Sequence, residues 1–293
     1  MFKRITYWFL RLAISFIAIT PFSVLYHISD GLAFILHYLI RYRYRVIRMN
    51  FENSFPEKSG AEIKMLIKQF YQHFADIVLE SLKGYSVPPE MLIPRYKFKP
   101  SPKLKQYYDN NQSVIITGGH YANWEWGVMC SGLQSQHHVM CYYHPIRNTF
   151  IDSFYREQFS TNRNLTTVSS KKAVRNFVEH RHEPILHMML ADQSPKSRNG
   201  AVWLDFLNQD TICITGPEKL AQKFNYPVFY FHVNRVKRGF YELQVIEITS
   251  NSKDTAKGEI TTQFMRMLEQ QIIDKPHEWL WSHKRWKKKR KVN

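Results

Sequence analysis

The residues best suited to chemistry lie in one short segment, VIITGGHYANWEWG (114–127), where an apolar run reaches a pair of glycines. His120 follows the glycines, and Asn123 is a suitable N-cap that would place Glu125 in the first turn of a helix. On one continuous helix, side chains five residues apart point about 140° away from each other. We therefore expect His120 in the turn before the helix and Glu125 within it, with the glycines allowing that turn.

This pairing would support proton transfer to and from a weak nucleophile. A neutral imidazole can take the proton of a hydroxyl as its oxygen attacks a thioester carbonyl. A carboxylate can orient the imidazole and stabilise the imidazolium that forms, while N–H groups at the helix start or an arginine can hold the oxyanion. The chain contains 13 histidines, so the pair taken alone indicates a structural histidine rather than a catalytic one.

Short apolar strands alternate with helices over most of the chain. The predicted strands cover 113–117, 137–143, 184–191, 227–233 and 241–248, and the predicted helices cover 62–83, 124–133, 149–160, 171–180, 216–224 and 259–273. This alternation indicates one α/β domain with a mainly parallel mixed sheet flanked by helices. Sites in such sheets gather where strands end and helices begin.

The composition fits a globular chain with a strongly basic surface. Hydrophobic residues make up 44% of the 293 residues, and the mean hydropathy of -0.41 argues against a polytopic membrane protein. Lys and Arg number 41 against 24 Asp and Glu, a net charge of +17, which attracts nucleic acid, anionic lipid or an acidic protein. The scattered Cys130, Cys141 and Cys213 predict reduced, buried thiols.

Several other histidines are predicted to be structural. His187 lies within an apolar strand and is expected to pack in the core. His137 and His138 lie beside a turn, and together with Cys141 they lack a fourth ligand at a useful spacing. We expect no metal ion.

The N-terminal segment is apolar and has basic residues on both sides. From Leu12 to Ser29 there is no charged residue, which approaches the length of a spanning helix. Arg11 and Pro21 interrupt the run, and basic flanks on both sides fit a segment lying in the membrane interface at least as well as a span. A cleaved signal peptide and a buried helix of a soluble protein are the less favoured alternatives.

Two basic stretches extend this pattern. RYRYRVIR (41–48) interleaves Arg with Tyr, which fits a belt at the level of lipid headgroups. The tail HKRWKKKRK (283–291) carries seven basic residues. It fits a solvated end, attraction to anionic lipid, or docking of an acidic carrier protein, and membrane attraction is favoured.

The whole chain resembles the bacterial lipid A biosynthesis (late) acyltransferase family, within the lysophospholipid acyltransferase-like group. The matching blocks occur in order, and they are RMNFENSFPE (48–57), the His120 and Glu125 motif, STNRN (160–164), ADQSP (191–195), TGPEKLA (215–221) and WLWSHKRWK (279–287). The first and last of these blocks are the most specific. The resemblance implies a glycerolipid acyltransferase-like fold.

The resemblance also implies an activity and roles for four residues. An acyl group would pass from an acyl carrier protein, or from CoA, to a hydroxyl of a lipid A precursor. His120 would be the general base and Glu125 its partner. Arg163 would bind phosphate or the oxyanion, and Asp192 would position Arg163 or the acceptor.

The apolar N-terminal segment, the basic stretches and the resemblance together predict an organisation and a location. Residues 1–45 would form a membrane-anchoring helical segment, 46–282 the acyltransferase domain and 283–293 a basic tail. The expected partners are acyl carrier protein, a lipid acceptor and the anionic surface of the cell inner membrane, on its cytoplasmic face. No cofactor is expected beyond the thioester co-substrate, and no nucleic acid.

Three alternatives remain open. In the first, the protein is still an acyltransferase, but its acceptor is a lysophospholipid, an amino-acid-containing lipid or another glycolipid. A basic nucleic-acid-binding protein at the membrane would explain the charge, although no recognised nucleic-acid motif is present. An inactive scaffold of the same fold is disfavoured because His120 and Glu125 are both intact.

Overall fold

A computed structural model describes residues 2–99, 101–160 and 164–290. Its helices are α1 (Phe2–Ile19), α2 (Phe22–Phe34), α3 (Tyr44–Ser54), α4 (Gly60–Gly84), α5 (Pro102–Asp109), α6 (Trp124–Gln134), α7 (Thr149–Ser160), α8 (Ala173–Glu179), α9 (Gly216–Phe224) and α10 (Glu259–Asp274). Its strands are β1 (Tyr96–Phe98), β2 (Val114–Gly118), β3 (His138–Tyr143), β4 (Leu165–Ser169), β5 (Ile185–Leu190), β6 (Val202–Phe206), β7 (Gln209–Cys213), β8 (Val228–Lys237) and β9 (Phe240–Thr249).

Seven strands form the main sheet in the order β1-β9-β8-β2-β5-β3-β4. All neighbouring pairs are parallel except β8 and β9, which form an antiparallel hairpin. Every residue of the central strand β2 is buried, as expected for a parallel strand with helices on both faces. The prediction of a single α/β domain with a mainly parallel mixed sheet is confirmed.

The sequence pattern located most elements but not all of them. The five predicted strands and the six predicted helices are present with ends shifted by a few residues, and the segment 171–180 begins as a 3-10 turn before α8. The short edge strands β1 and β4, helices α3 and α5 and the separate β6–β7 hairpin were not predicted. Edge strands are hard to recognise because they are short and only partly buried, so their apolar pattern is weak.

The buried residues agree with the predictions made for the histidines and cysteines. His187 is fully buried, and its ring stacks on Phe177 at 3.7 Å between ring centroids. His137 is buried with its Nε2 atom 3.1 Å from the Gln112 carbonyl oxygen. The three cysteines are unpaired and buried.

The N-terminal helices pack against α4, which begins with a capping box formed by Ser59 and Glu62. The Lys83 ammonium near the end of α4 donates hydrogen bonds to three carbonyl oxygens at the C-terminal end of α1. After α2 the chain continues as a π-helical turn (Ile35–Leu39) and then bends by 89° into α3. Within residues 2–99, 101–160 and 164–290 no single helix is long and apolar enough to cross a bilayer; this bent pair alone meets the length and composition criteria.

Candidate active site

The turn after β2 is held by close packing rather than by unusual glycine torsions. A Cβ atom at Gly118 would lie 2.7 Å from Phe231 Cβ, and one at Gly119 would lie 2.8 Å from a Leu268 methyl carbon. The residue with a positive φ in this turn is Ala122, at 48°. The glycines are therefore required because the β8 strand and α10 approach the backbone, and not for the conformational freedom that we expected.

The parallel register of β2 and β5 brings His120 and Asp192 together. Gly118 pairs with Leu190, and each of the two site residues lies two positions beyond these paired strand ends. His120 Nδ1 lies 2.6 Å from Asp192 Oδ1, and the His120 backbone N–H donates to Asp192 Oδ2 at 2.8 Å. One carboxylate therefore fixes both the ring and the backbone of the histidine.

A segment from the C-terminal region completes this arrangement. The Trp279 indole N–H donates to Asp192 Oδ2 at 2.8 Å, and the Trp279 side chain is buried. On either side of it, the Leu280 N–H donates to the His120 carbonyl and the Ala122 N–H donates to the Glu278 carbonyl. The segment 278–280 therefore holds both the turn that contains Ala122 and the Asp192 carboxylate.

Glu125 lies in the first turn of α6, as the N-cap argument predicted. Asn123 Oδ1 accepts a hydrogen bond from the Trp126 N–H at 2.9 Å and thereby caps α6. The Asn123 amide in turn donates to Glu80 Oε2 at 2.7 Å in the buried core of α4. Glu125 Oε2 accepts a hydrogen bond from the Tyr85 hydroxyl at 3.1 Å. The start of α6 is thus fixed at two points, to Glu80 in α4 and to Tyr85 directly after α4.

The structure changes the expected partners of the site residues. The carboxylate that contacts the His120 ring is that of Asp192, where we expected Glu125. Asp192 contacts His120 and Trp279, where we expected it to position Arg163 or the acceptor. Arg163 lies outside the described residues.

Sequence reasoning assigned no role to four residues near the imidazole. Gln193 Nε2 lies 3.4 Å from His120 Nε2, and the Trp124 ring packs edge-on against the imidazole at 5.3 Å. His283 Nε2 accepts a hydrogen bond from the Ser194 N–H. The fourth residue is Trp279. Its place in the terminal motif block 279–287 was the one feature of the sequence that pointed to it.

The charges around the imidazole alter its protonation. Burial lowers the pKa of His120, but the Asp192 carboxylate and its hydrogen bond, together with Glu125, outweigh burial and leave this pKa above 6.5. Burial raises the pKa of Glu125, against the opposing effects of Tyr85 and His120. Burial also works against the charge of Asp192, yet the His120 ring and the Trp279 indole hold its pKa below its usual value. His120 is 21% exposed and Asp192 only 2%, so the histidine is the member of the pair that a substrate can reach.

A largely apolar groove of about 450 Å³ begins beside Glu125 and Trp124. It is lined by Tyr42, Arg43, Phe74, Ile77, Val78, Ser81, Tyr85, Trp124, Glu125, Leu280, Ser282 and His283. An imidazole backed by a buried carboxylate, at a strand end beside an apolar groove, suits general base chemistry on a lipid-like substrate.

Comparison with known proteins assigns the chain to a family. The sequence profile described as "Bacterial lipid A biosynthesis acyltransferase" matches residues 1–288. The chain is 18% identical over 270 residues to the lipid A biosynthesis palmitoleoyltransferase of Escherichia coli strain K12 and to the lipid A biosynthesis acyltransferase of Shigella flexneri. Each alignment covers 91% of this chain and 86% of the relative.

The chain belongs to the bacterial lipid A biosynthesis acyltransferase family, and it is an acyltransferase. The expected family is therefore confirmed, and with it the general reaction of acyl transfer to a lipid A precursor.

Proposed function

We propose that this protein transfers a fatty acyl chain from an acyl carrier protein thioester to a hydroxyl of a lipid A precursor, with His120 as the general base. The observation that carries the proposal is the 2.6 Å contact between His120 Nδ1 and Asp192 Oδ1. Because Nδ1 is held by the carboxylate, the other ring nitrogen, Nε2, is left to exchange a proton with the substrate.

The proposed reaction moves one proton through His120 and replaces the carbon–sulfur bond of the thioester with a carbon–oxygen bond. The acceptor hydroxyl gives its proton to His120 Nε2 as its oxygen bonds to the thioester carbonyl carbon. The carbon–sulfur bond then breaks, and the imidazolium returns the proton to the leaving sulfur. Asp192 stabilises the imidazolium formed between these steps, in the manner of a catalytic triad.

We assign supporting roles to Glu125 and Arg163. Glu125 stabilises the imidazolium through space, since its charge contributes to the raised pKa of His120. Its hydrogen bond to Tyr85 fixes it at the start of the groove. Arg163 binds phosphate or the oxyanion, a role that rests on the family resemblance. The protein needs no cofactor for this reaction, because the thioester supplies the activated acyl group.

The N-terminal segment 1–45 is proposed to hold the enzyme on the anionic cytoplasmic face of the inner membrane, with 46–282 as the catalytic domain. Helix α1 exposes apolar side chains at three- and four-residue steps along one face. These residues are Ile5, Trp8, Phe9, Leu12, Phe16 and Ile19. An apolar stripe with basic neighbours is typical of a helix lying in the membrane interface. The exposed Lys284, Lys287, Lys289 and Arg290 of the basic tail add attraction to anionic lipid.

The decisive experiment uses the purified protein with an acyl carrier protein thioester, the matching CoA thioester, and a panel of acceptors. The panel contains a lipid A precursor and a lysophospholipid, and products are identified by mass spectrometry. We expect acylation of the lipid A precursor, loss of that product in His120→Ala, and no loss in the exposed control His182→Ala. Acylation of another lipid class alone would overturn the proposed acceptor, and full activity in His120→Ala would overturn the base.

A further inference from the structure

Glu80 is a fully buried carboxylate on α4 that contacts the start of α6, the main sheet and the N-terminal segment at once. The Asn123 amide and the Tyr241 hydroxyl of β9 donate to its Oε2 atom at 2.7 and 2.8 Å. The Tyr26 hydroxyl of α2 donates to its Oε1 atom at 2.8 Å. The Trp126 indole N–H of α6 donates to the Glu80 carbonyl oxygen at 2.7 Å. A buried carboxylate is tolerated only when its oxygens are hydrogen-bonded, and both oxygens of Glu80 are.

The contact with Glu80 decides which way the Asn123 amide faces. Asn123 Oδ1 must point to the Trp126 N–H to cap α6, and it accepts from that group at 2.9 Å. The Asn123 Nδ2 atom then faces Glu80 Oε2, which accepts its hydrogen bond. Turning the amide round would place two oxygens against each other and an NH2 group against the N–H of the helix. Glu80 therefore selects the orientation in which the cap is made.

Asn123 is one end of the turn 120–123 that carries the base. Asp192 holds the other end through the ring and the backbone N–H of His120. Between the two ends lies Ala122 with its positive φ of 48°. A residue with a side chain keeps this conformation only when its surroundings impose it. Two buried carboxylates on different elements therefore fix the ends of the turn.

Glu80 also ties this turn to the N-terminal segment. Tyr26 and Ser29 lie three residues apart on α2, and Ser29 Oγ donates at 2.6 Å to Asp76, one helical turn before Glu80. A Cβ atom at Gly239 would overlap the Tyr26 hydroxyl, so the turn between β8 and β9 leaves room for this side chain. Helix α2 is thus docked on α4 through buried hydrogen bonds, which specify one position where apolar packing alone would allow several.

We propose that Glu80 is a positioning residue of the active site, which orients the Asn123 cap of α6 and, through Tyr26, makes α2 part of the scaffold that holds the base. The inference rests on the proposed function, because acyl transfer is one of its two readouts. The N-terminal segment then does more than hold the protein on the membrane. Its docking on α4 keeps the turn 120–123 in the geometry that the reaction needs.

Glu80→Gln and Glu80→Met form a matched pair of variants. Burial and the nearby Asp76 carboxylate raise the pKa of Glu80 to about 7, against the opposing hydrogen bonds of Tyr241 and Tyr26. The protonated acid is therefore well populated at neutral pH, and glutamine shares its capacity to donate and accept. The glutamine N–H donates to the Tyr26 hydroxyl oxygen while its carbonyl oxygen still accepts from Asn123. Methionine has a similar length but accepts only weakly.

Steady-state kinetics of acyl transfer are the first readout. Glu80→Met leaves the buried Asn123 amide without an acceptor, so we expect kcat to fall roughly 10- to 100-fold with KM for the thioester little changed. Glu80→Gln should keep kcat within about threefold of the wild type, since the acceptor is retained. Tyr26→Phe should lower kcat about three- to tenfold, because Glu80 Oε1 loses its donor. Tyr108→Phe removes a hydroxyl on α5, where the ring packs on His137, and should leave kcat unchanged.

The Asn123→Ser background separates positioning from general destabilisation. Serine caps a helix about as well as asparagine does, but it has no amide for Glu80 to orient. In this background Glu80→Met should lower kcat by less than about threefold further, which is the coupling that a double-mutant cycle measures. Equal losses in the two backgrounds would show that Glu80 acts on stability alone and would overturn the proposal, as would equal losses with glutamine and methionine.

Hydrogen exchange of the first turn of α6 is the second readout, and it needs no substrate. The N–H groups of Trp126 and Gly127 bond to Asn123, and they should exchange roughly tenfold or more faster in Glu80→Met than in the wild type or in Glu80→Gln. Unchanged exchange in Glu80→Met would refute the role of Glu80, and unchanged kcat in Tyr26→Phe would refute that of α2. A wild type that transfers no acyl chain would overturn the proposed function, and hydrogen exchange would then decide the inference by itself.

Discussion

Asp192 makes two contacts with His120, one from Oδ1 to the ring nitrogen Nδ1 at 2.6 Å and one from Oδ2 to the backbone N–H at 2.8 Å. A carboxylate that holds both the backbone and the ring leaves the imidazole little freedom to rotate. The buried negative charge of Asp192 also lowers the free-energy cost of protonating the imidazole ring beside it. Asp192 therefore orients the histidine and makes the largest contribution to raising its pKa.

The first prediction concerns pH. The base must be neutral to accept a proton, and the pKa of His120 is raised above 6.5 by Asp192 and Glu125 in spite of burial. We expect kcat/KM to rise with pH through an apparent pKa above this ordinary value. A series of assays between about pH 5 and 9 would measure it. An acidic limb centred below 6.5 would contradict the prediction.

Asp192→Asn should lower kcat by roughly 10²- to 10⁴-fold, because the imidazolium loses its buried counter-charge. It should also move the acidic limb of the pH profile to lower pH, since burial then acts on His120 without the opposing carboxylate. Circular dichroism would check that the variant is folded. A loss of rate without movement of the limb would indicate a purely structural role for the aspartate.

Trp279→Phe removes one hydrogen bond to a charged carboxylate and keeps most of the buried ring. Such a bond contributes about 1.5–3 kcal/mol, so we expect kcat/KM to fall roughly 10- to 100-fold with KM little changed. Trp203→Phe is the matched control, because Trp203 lies on the separate hairpin and contacts Arg290. Equal losses in the two variants would show that the effect is not specific to Asp192.

Glu125→Gln should lower kcat by roughly 10- to 100-fold with little change in donor affinity. The amide keeps the size of the side chain and its hydrogen-bonding capacity toward Tyr85 while removing the charge that acts on His120. Steady-state kinetics with varied donor would separate kcat from KM. A change confined to KM would assign Glu125 to substrate binding.

The exposed face of α1 provides a test of membrane contact. Phe9→Glu and Leu12→Glu together should reduce binding to vesicles that contain anionic lipid by about 10²-fold or more, since burying each apolar side chain contributes roughly 1.5–3 kcal/mol. Met65→Glu makes the same kind of change on the exposed side of α4 and should have little effect. Vesicle flotation measures the bound fraction. Unchanged binding of the double variant would exclude α1 as the contact surface.

The sequence by itself determined the sheet, most of its strands and helices, and the position of His120 and Glu125 around a strand end. Those features depend on local patterns, namely buried apolar runs, helical periodicity and the Asn123 cap, which neighbouring residues specify. The family followed from ordered motif blocks across the chain. Asp192 was recognised as a site residue through the resemblance of the ADQSP block (191–195) to the family, and its position after an apolar strand agreed with that role.

Only the tertiary structure decided which carboxylate holds the imidazole. The order of strands places β5 beside β2, and strand order depends on long-range packing that no short segment encodes. The Trp279 contact depends on a C-terminal segment returning across the sheet edge, more than 80 residues after Asp192 in the chain. The groove likewise forms between α4 and that segment. Its shape arises from elements far apart in sequence, so the residues that line it carry no common local pattern.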